Sequence, residues 1–587
     1  MNVTSFLNQN VNKYPLNQAI GFKKKDQWQF INWKQLRTIV FKTANALKAA
    51  GIQENDRVAI YSENSAEWIT FDLAVMSLGA ITVPIYGTNA QEQTEYILED
   101  SQSKIILVGS QEQYDIAYEI IQKKSFISQI IVSKKAVWIK EEKTQYLEDF
   151  IKEGSEEFEI VSKENDDLAT LIYTSGTTGT PKGVMITHGN FTSAFQAHYD
   201  FFKFKDPEKE HSMAFLPLTH VFERAWTLLA LTMGTKVSVL ENPKLIANAL
   251  QEVRPTMMCA IPRFYQKIYN GISDIIKNGS PTKQKIFGWA LGVGSQVAEL
   301  KRKGNSIPFA LKAKMGIADA LVFNKIKAKL GGKLWFTPVG GASISPEISQ
   351  FFDALGIHMT IGYGMTETTA TVTCFPLHNY DYRSAGVTIG DGQIKIGDNN
   401  EILVKGSGIM KGYYNKPEET AKVFTEDGWL KTGDAGTFVN GTLTITDRIK
   451  DLMKTSNGKY IAPQPIENSL GNNNLINQVM LIAEGRPFVT ALIVPNFELL
   501  QDKLKSLNLL NGNPMDWVKM PEVKEMFTNI INDIQKNLPS FEKVKKFTLL
   551  PADFEITSGE ITPTLKIKRN IVAQNYANII EEMYQHS

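Results

Sequence analysis

The chain has 587 residues, too many for one hydrophobic core, so two or more domains are expected. Hydrophobic residues make up 43% and charged residues 21%, a composition that excludes a disordered chain. A formal net charge of +1 gives no electrostatic ground for nucleic acid as a partner.

The first eighteen residues carry no cationic start followed by an apolar stretch, so no secretory leader is expected. From there strand-like and helix-like patterns alternate. RVAIYS (57–62) is an apolar strand, SAEWITFDLAVMSLGA (65–80) a buried helix and ITVPIYG (81–87) a second strand. SKIILVG, QYDIAYEIIQKK and ISQIIVS repeat the order. Continuous apolar strands separated by helices predict parallel sheets covered on both faces, an α/β fold. The most apolar run, WTLLALTMGTKVSVL, is broken by Gly234 and Lys236 and is too short to span a bilayer. Residues 263–333 read as helices with 14 Lys/Arg against three Asp/Glu. That imbalance suits either a solvated insertion or a surface for anionic head groups or a phosphorylated cofactor. Beyond about residue 447 the texture changes to a small α+β unit. It begins with a hairpin at 479–496, turning at Gly485, Arg486 and Pro487. Two cysteines, Cys259 and Cys374, fall outside metal-ligand spacing and predict a reducing, cytoplasmic setting. The seven histidines never pair at i,i+4, which argues against a built-in metal site.

Chemistry concentrates in loops. YTSGTTGTPKG (173–183) has glycines that let backbone N–H groups approach an anion, hydroxyl donors, and the charge of Lys182. A Walker loop would need Gly where Pro181 stands and a hydroxyl where Gly183 stands, so an ordinary P-loop NTPase is excluded. VGGASIS (339–345) follows an apolar run, as a ligand-collecting strand-end loop would. GYGMTETT (362–369) offers an aromatic face, a hydroxyl and a carboxylate, and WLKTGD (429–434) ends on a carboxylate suited to ribose hydroxyls.

These strings, with LPLTHVFER (216–224), DRIKD (447–451) and TPTLKIKR (562–569), resemble in this order the adenylate-forming superfamily of acyl-CoA synthetases, adenylation domains and luciferases. The resemblance runs from about residue 10 to about 575. It implies a large N-terminal domain (1–449) of mixed sheets and a small mobile α+β domain (450–587) hinged near Lys450. Thr174, Ser175, Gly176, Thr177, Thr178 and Lys182 would hold the β- and γ-phosphates of ATP. Gly341, Ala342 and Ser343 would line the adenine site, with Tyr363 and Gly364 beside the base. Thr366 would contact the α-phosphate, Glu367 would hold Mg²⁺, and Asp434 and Arg448 would bind ribose. Lys566 aligns with the catalytic lysine, although Leu565 replaces the glycine usual before it.

Amino-acid-activating relatives carry an Asp where this chain has Val221, and no carrier domain is expected after Lys566. HVFERAW and the helical insertion resemble the long-chain fatty acyl-CoA synthetase branch. The implied activity is activation of a long-chain fatty acid with ATP and transfer to coenzyme A. Medium-chain or aryl acids, or a carrier protein as acceptor, are the alternatives. His220 would lie near the substrate carboxylate or simply pack at a helix start. Arg224 takes the place of a tunnel-gating Trp found in some relatives, and Trp226 reads as core.

Overall fold

The structure, a computed structural model, describes residues 2–140, 142–174, 180–448, 453–555, 557–562 and 567–585; the side chains of Asp447 and Arg448 lie outside that description. Arg57–Ser62 pairs in parallel with Ile81–Tyr86 on one side and Ile105–Val108 on the other. Successive strand residues point to opposite faces. Val58, Ile60, Ile105 and Leu107 therefore pack into one apolar cluster, while Ala59, Tyr61, Ile106 and Val108 pack into another. Both faces are covered, which is why these strands read as unbroken apolar runs. The intervening helix Ala66–Ser77 starts at Ser65, whose hydroxyl accepts the Trp68 N–H at 3.0 Å.

This eight-stranded sheet continues through Leu168–Thr174 to Lys182–Thr187 and ends on the short strand Gly412–Tyr413. A second eight-stranded sheet starts at Phe336–Val339, passes through His358–Tyr363 and includes Leu430–Val439 paired with Thr442–Arg448. A four-stranded sheet holds His211–Ala214 and Lys236–Val239 beside two N-terminal strands. Four motifs far apart in sequence are thereby set at the ends or edges of two large sheets.

Residues 263–333 are helical, as expected: Pro262–Lys277, Pro281–Arg302, Phe309–Ala318, a π-turn at Asp319–Phe323 and Asn324–Lys329. The second of these lies tightly on helix Pro346–Ala354. A Cβ on Gly294 would come within 2.4 Å of the Ala354 carbonyl oxygen, so only glycine allows that approach. No helix among the described residues is long and apolar enough to cross a membrane.

The C-terminal part builds its own sheet. Ile476–Ile482 and Val489–Pro495 form the expected antiparallel hairpin, and Val544–Leu549 joins in parallel. Its apolar clusters are separate from those of the preceding sheets. It touches the helical insertion through amide groups: the Arg263 guanidinium donates to the Asn477 side-chain oxygen at 2.7 Å, and Asn270 donates to the Asn472 carbonyl at 3.2 Å.

Candidate active site

Thr174 ends one strand and Lys182 begins the next, and the two are register partners across the hairpin. The loop between them, with Ser175, Gly176, Thr177 and Thr178, lies outside the described residues. The adjacent strand brings Tyr413 to this place: its N–H and that of Tyr414 belong to the Gly412–Asn415 segment, and Lys182 Nζ sits 5.0 Å from the Tyr413 ring centre. Lys182 donates to Glu419 Oε2 at 2.5 Å, and Lys422 donates to the other oxygen at 2.6 Å. Those two ammonium groups pull the Glu419 carboxyl down to about 2.

The Tyr413 hydroxyl reaches the other way and donates to Glu367 Oε1 at 2.8 Å. Burial, then the charge of Glu367, raises the Tyr413 phenol far above its ordinary value, so it remains a donor. Glu367 and Thr366 are both buried, in a 3₁₀ turn that follows strand His358–Tyr363. That turn needs Gly364: a Cβ there would stand 2.0 Å from the Ala370 carbonyl oxygen.

Tyr363 lies at the end of its strand, and its hydroxyl donates to Asp434 Oδ2 at 2.8 Å. Asp434 is also a strand residue and is buried. It stands opposite Arg448 in the antiparallel register, so the backbone places the two side by side. Gly341, Ala342 and Ser343 form an exposed loop after Phe336–Val339, and Ser343 Oγ accepts from Asn468 of helix Pro463–Gly471. Lys450 and Lys566 lie outside the described residues.

Beside Gly341 and Gly364 opens a cavity lined mainly by apolar groups such as Phe195, Val221, Trp226 and Leu229. Trp226 is core and lining at once: its indole N–H donates to Ser212 Oγ at 2.9 Å, and its ring stacks on Phe336 while bordering the cavity. His220 packs at the helix start and also borders the cavity. Its Nδ1 accepts the Phe222 N–H at 3.2 Å and caps helix Val221–Thr232, while the ring lines the cavity. Desolvation lowers His220 to about 4, so the ring is neutral at pH 7 with its proton on Nε2. A neutral donor at the rim of an apolar cavity can bond a carboxylate oxygen.

The residues after His220 hold that helix in place. Arg224 is 1% exposed and binds Asp72 through two bonds of 2.9 and 2.6 Å, with a third to Thr170 Oγ1 at 2.6 Å. Glu223, fully buried, accepts the N–H groups of Phe215 and Leu216 and the Thr227 hydroxyl. Desolvation raises its carboxyl to about 8. Sequence reasoning named neither role, nor Tyr413 or Glu419. Two adjacent opposite charges inside the apolar run VFERAWTLLAL were a readable signal of a buried polar anchor. For Glu419 there was only a helix-start pattern, Pro-Glu-Glu-Thr, with nothing pointing to Lys182.

Comparison with known proteins agrees with this architecture. The chain belongs to the AMP-binding enzyme family: residues 7–414 match that family, and residues 450–587 match the AMP-binding enzyme C-terminal domain. It is 29% identical over 565 residues to a long-chain-fatty-acid–CoA ligase of Mycobacterium bovis, covering 95% of this chain and 92% of that one. It is 30% identical to another, of Xenopus laevis, covering 98% and 82%. Among solved structures, the adenylation domain of a carboxylate reductase from Mycobacterium chelonae superimposes with a TM-score of 0.77 at 21% identity, covering 100% of this chain and 91% of that one.

Proposed function

We propose that the protein is an ATP-dependent long-chain fatty acid–CoA ligase, working with two domains, 1–449 and 450–587. The observation that carries this reading is the apolar cavity whose lining includes both His220 and the backbone of Gly341 and Gly364. A tail-binding space and a polar, phosphate-suited rim meet there. Val221, which lines the cavity, offers no charge for a substrate amine.

In this reading the fatty acid carboxylate attacks the α-phosphorus of ATP. An O–P bond forms, the bond to the bridging oxygen breaks, and pyrophosphate leaves. The coenzyme A thiolate then attacks the acyl carbonyl, and AMP leaves. Thr174, the 175–178 loop and Lys182 hold the β- and γ-phosphates, and Gly341, Ala342, Ser343, Tyr363 and Gly364 the adenine. Asp434 and Arg448 take the ribose hydroxyls, and Thr366 the α-phosphate. Lys566 meets the negative charge that develops between two anions. Glu367 is one buried carboxylate fixed by Tyr413, and Mg²⁺ is commonly held by one or two carboxylates with substrate phosphates completing its shell, so this donor set fits the ion. Mg²⁺ supplies charge neutralisation on the phosphates. Lys450 is the hinge that lets the small domain reorient between steps. We include peripheral attachment of this cytoplasmic enzyme to an anionic membrane face in the same proposal.

The test is turnover of purified protein with MgATP, coenzyme A and acids of graded chain length, following AMP and acyl-CoA together. Acyl-CoA formation rising toward long chains is expected. AMP without acyl-CoA would replace coenzyme A by a carrier protein, a preference for short or aryl acids would replace the substrate, and no turnover would overturn the reading.

A further inference from the structure

We infer that the outer face of helix Phe309–Ala318, continued by the turn to Phe323, is a docking surface for an anionic lipid bilayer. This names the surface behind the peripheral attachment proposed above, and it stands independently of the ligase chemistry. The helix is apolar on two sides. Leu311, Met315 and Val322 face inward against the apolar cluster beneath the insertion, and Ala318 is fully buried there. On the other side Phe309, Ile317 and Leu321 are exposed to 87, 53 and 53%. With Ala313 they follow one another at four-residue intervals, which in a helix of about 3.6 residues per turn makes one continuous stripe.

A helix that is apolar all round is ordinarily buried on all sides. Here the outer stripe has nothing over it among the described residues. At about 100° per residue, Lys312 falls on one flank of the stripe and Lys314 on the other, both exposed. The charge of the insertion is one-sided, and its three acids are engaged elsewhere. Glu299 bonds Arg302 and Lys303, Asp319 bonds Lys327, and Asp274 accepts from Asn474 of the C-terminal part. Among the described residues no ion pair involves Lys283, Lys285, Lys312, Lys314 or Lys325. An apolar stripe bordered by unneutralised lysines fits the head-group boundary of a bilayer, where apolar side chains enter the acyl edge and cations meet phosphate. Charge complementarity selects that occupant over a second copy of this chain, because two such faces would bring the same lysines together.

Co-sedimentation of the full chain with large vesicles tests the surface. One set is phosphatidylcholine alone; the other contains about one-third phosphatidylglycerol. Binding is expected only to the anionic set and should fall steeply from 50 mM to 500 mM salt. Phe309→Ser/Ile317→Ser and Lys312→Glu/Lys314→Glu should each reduce the bound fraction at least ten-fold. Ligase activity on a soluble shorter-chain acid should be unchanged in both, since all four side chains are exposed and distant in sequence from the site motifs. Equal binding of wild type and variants would overturn the assignment, as would binding that ignores lipid charge. Loss of a dimer in the Phe309→Ser/Ile317→Ser variant by analytical ultracentrifugation, with no vesicle binding in wild type, would assign the face to a second copy instead. A protein that binds vesicles as described but turns over no acid would leave the surface standing and remove the ligase reading.

Discussion

Arg224→Met removes the only cation bonded to Asp72 among the described residues, leaving a carboxylate whose side chain is 2% exposed. The cost comes mainly from the orphaned charge. Breaking a buried pair from one side costs about 3–5 kcal/mol, whereas replacing both partners by apolar groups is often close to neutral. Thr170 keeps its own bond to the Thr82 carbonyl at 2.7 Å, so it adds little to the loss. With an unfolding entropy of about 2.1 cal/mol/K per residue, the roughly 400 family-matched residues give about 0.9 kcal/mol per degree. The single variant should therefore melt about 3–6 °C below wild type. Arg224→Met/Asp72→Leu should recover more than half of that. Thermal melting of the three proteins, with residual ligase activity after heating, is the assay. A shift below about 1 °C in Arg224→Met, or a double variant no better than the single, would refute the orphaned-charge argument. Because the same helix carries His220, Val221 and Trp226 to the cavity, the affinity for long-chain acid should weaken in the single variant as well.

The remaining predictions concern the site and pH. Glu419→Gln weakens the competitor that Lys182 holds, so the KM for ATP should fall modestly, and a rise would show that Glu419 orients the lysine instead. Lys566→Ala should abolish adenylation while coenzyme A still consumes supplied acyl-adenylate, and equal loss of both steps would remove that lysine from its role. Lys450→Pro should slow thioester formation more than adenylation, because it stiffens the backbone at the hinge; equal slowing would move the pivot elsewhere. His188 and His358, both lowered to about 4 by desolvation, and His211, lowered to about 3, stay neutral in the fold but take up protons below about 6.5 when unfolded. Protein stability should thus fall as pH drops from about 6.5 toward 4. Glu223 acts in the opposite sense: raised to about 8, it holds a proton in the fold that the unfolded chain loses above about 4.5, so stability also declines toward pH 8. Melting temperature against pH should peak near 6.5, and Glu223→Gln should flatten the alkaline side; a flat profile in wild type would refute both assignments.

Local pattern was enough for the elements of the parallel sheet, the C-terminal hairpin and the helical insertion, because strand and helix periodicities are properties of neighbouring residues. The ordered loops YTSGTTGTPKG, GYGMTETT and TGD also declared the class of chemistry, since anion-binding loops need glycines and hydroxyls at close spacing. What the sequence by itself determined was therefore the element types and the family. Which side chains meet was decided only by the tertiary structure. Tyr363 finds Asp434 across 71 positions, Tyr413 finds Glu367 across 46, and Lys182 finds Glu419 across 237. Such pairs depend on strand order and register, which arise from packing two sheets together and leave no mark in any local window. The same holds for Phe309, Ile317 and Leu321. Their spacing announces an apolar stripe, but only packing reveals that the helix has already satisfied its core with another face and leaves this one bare.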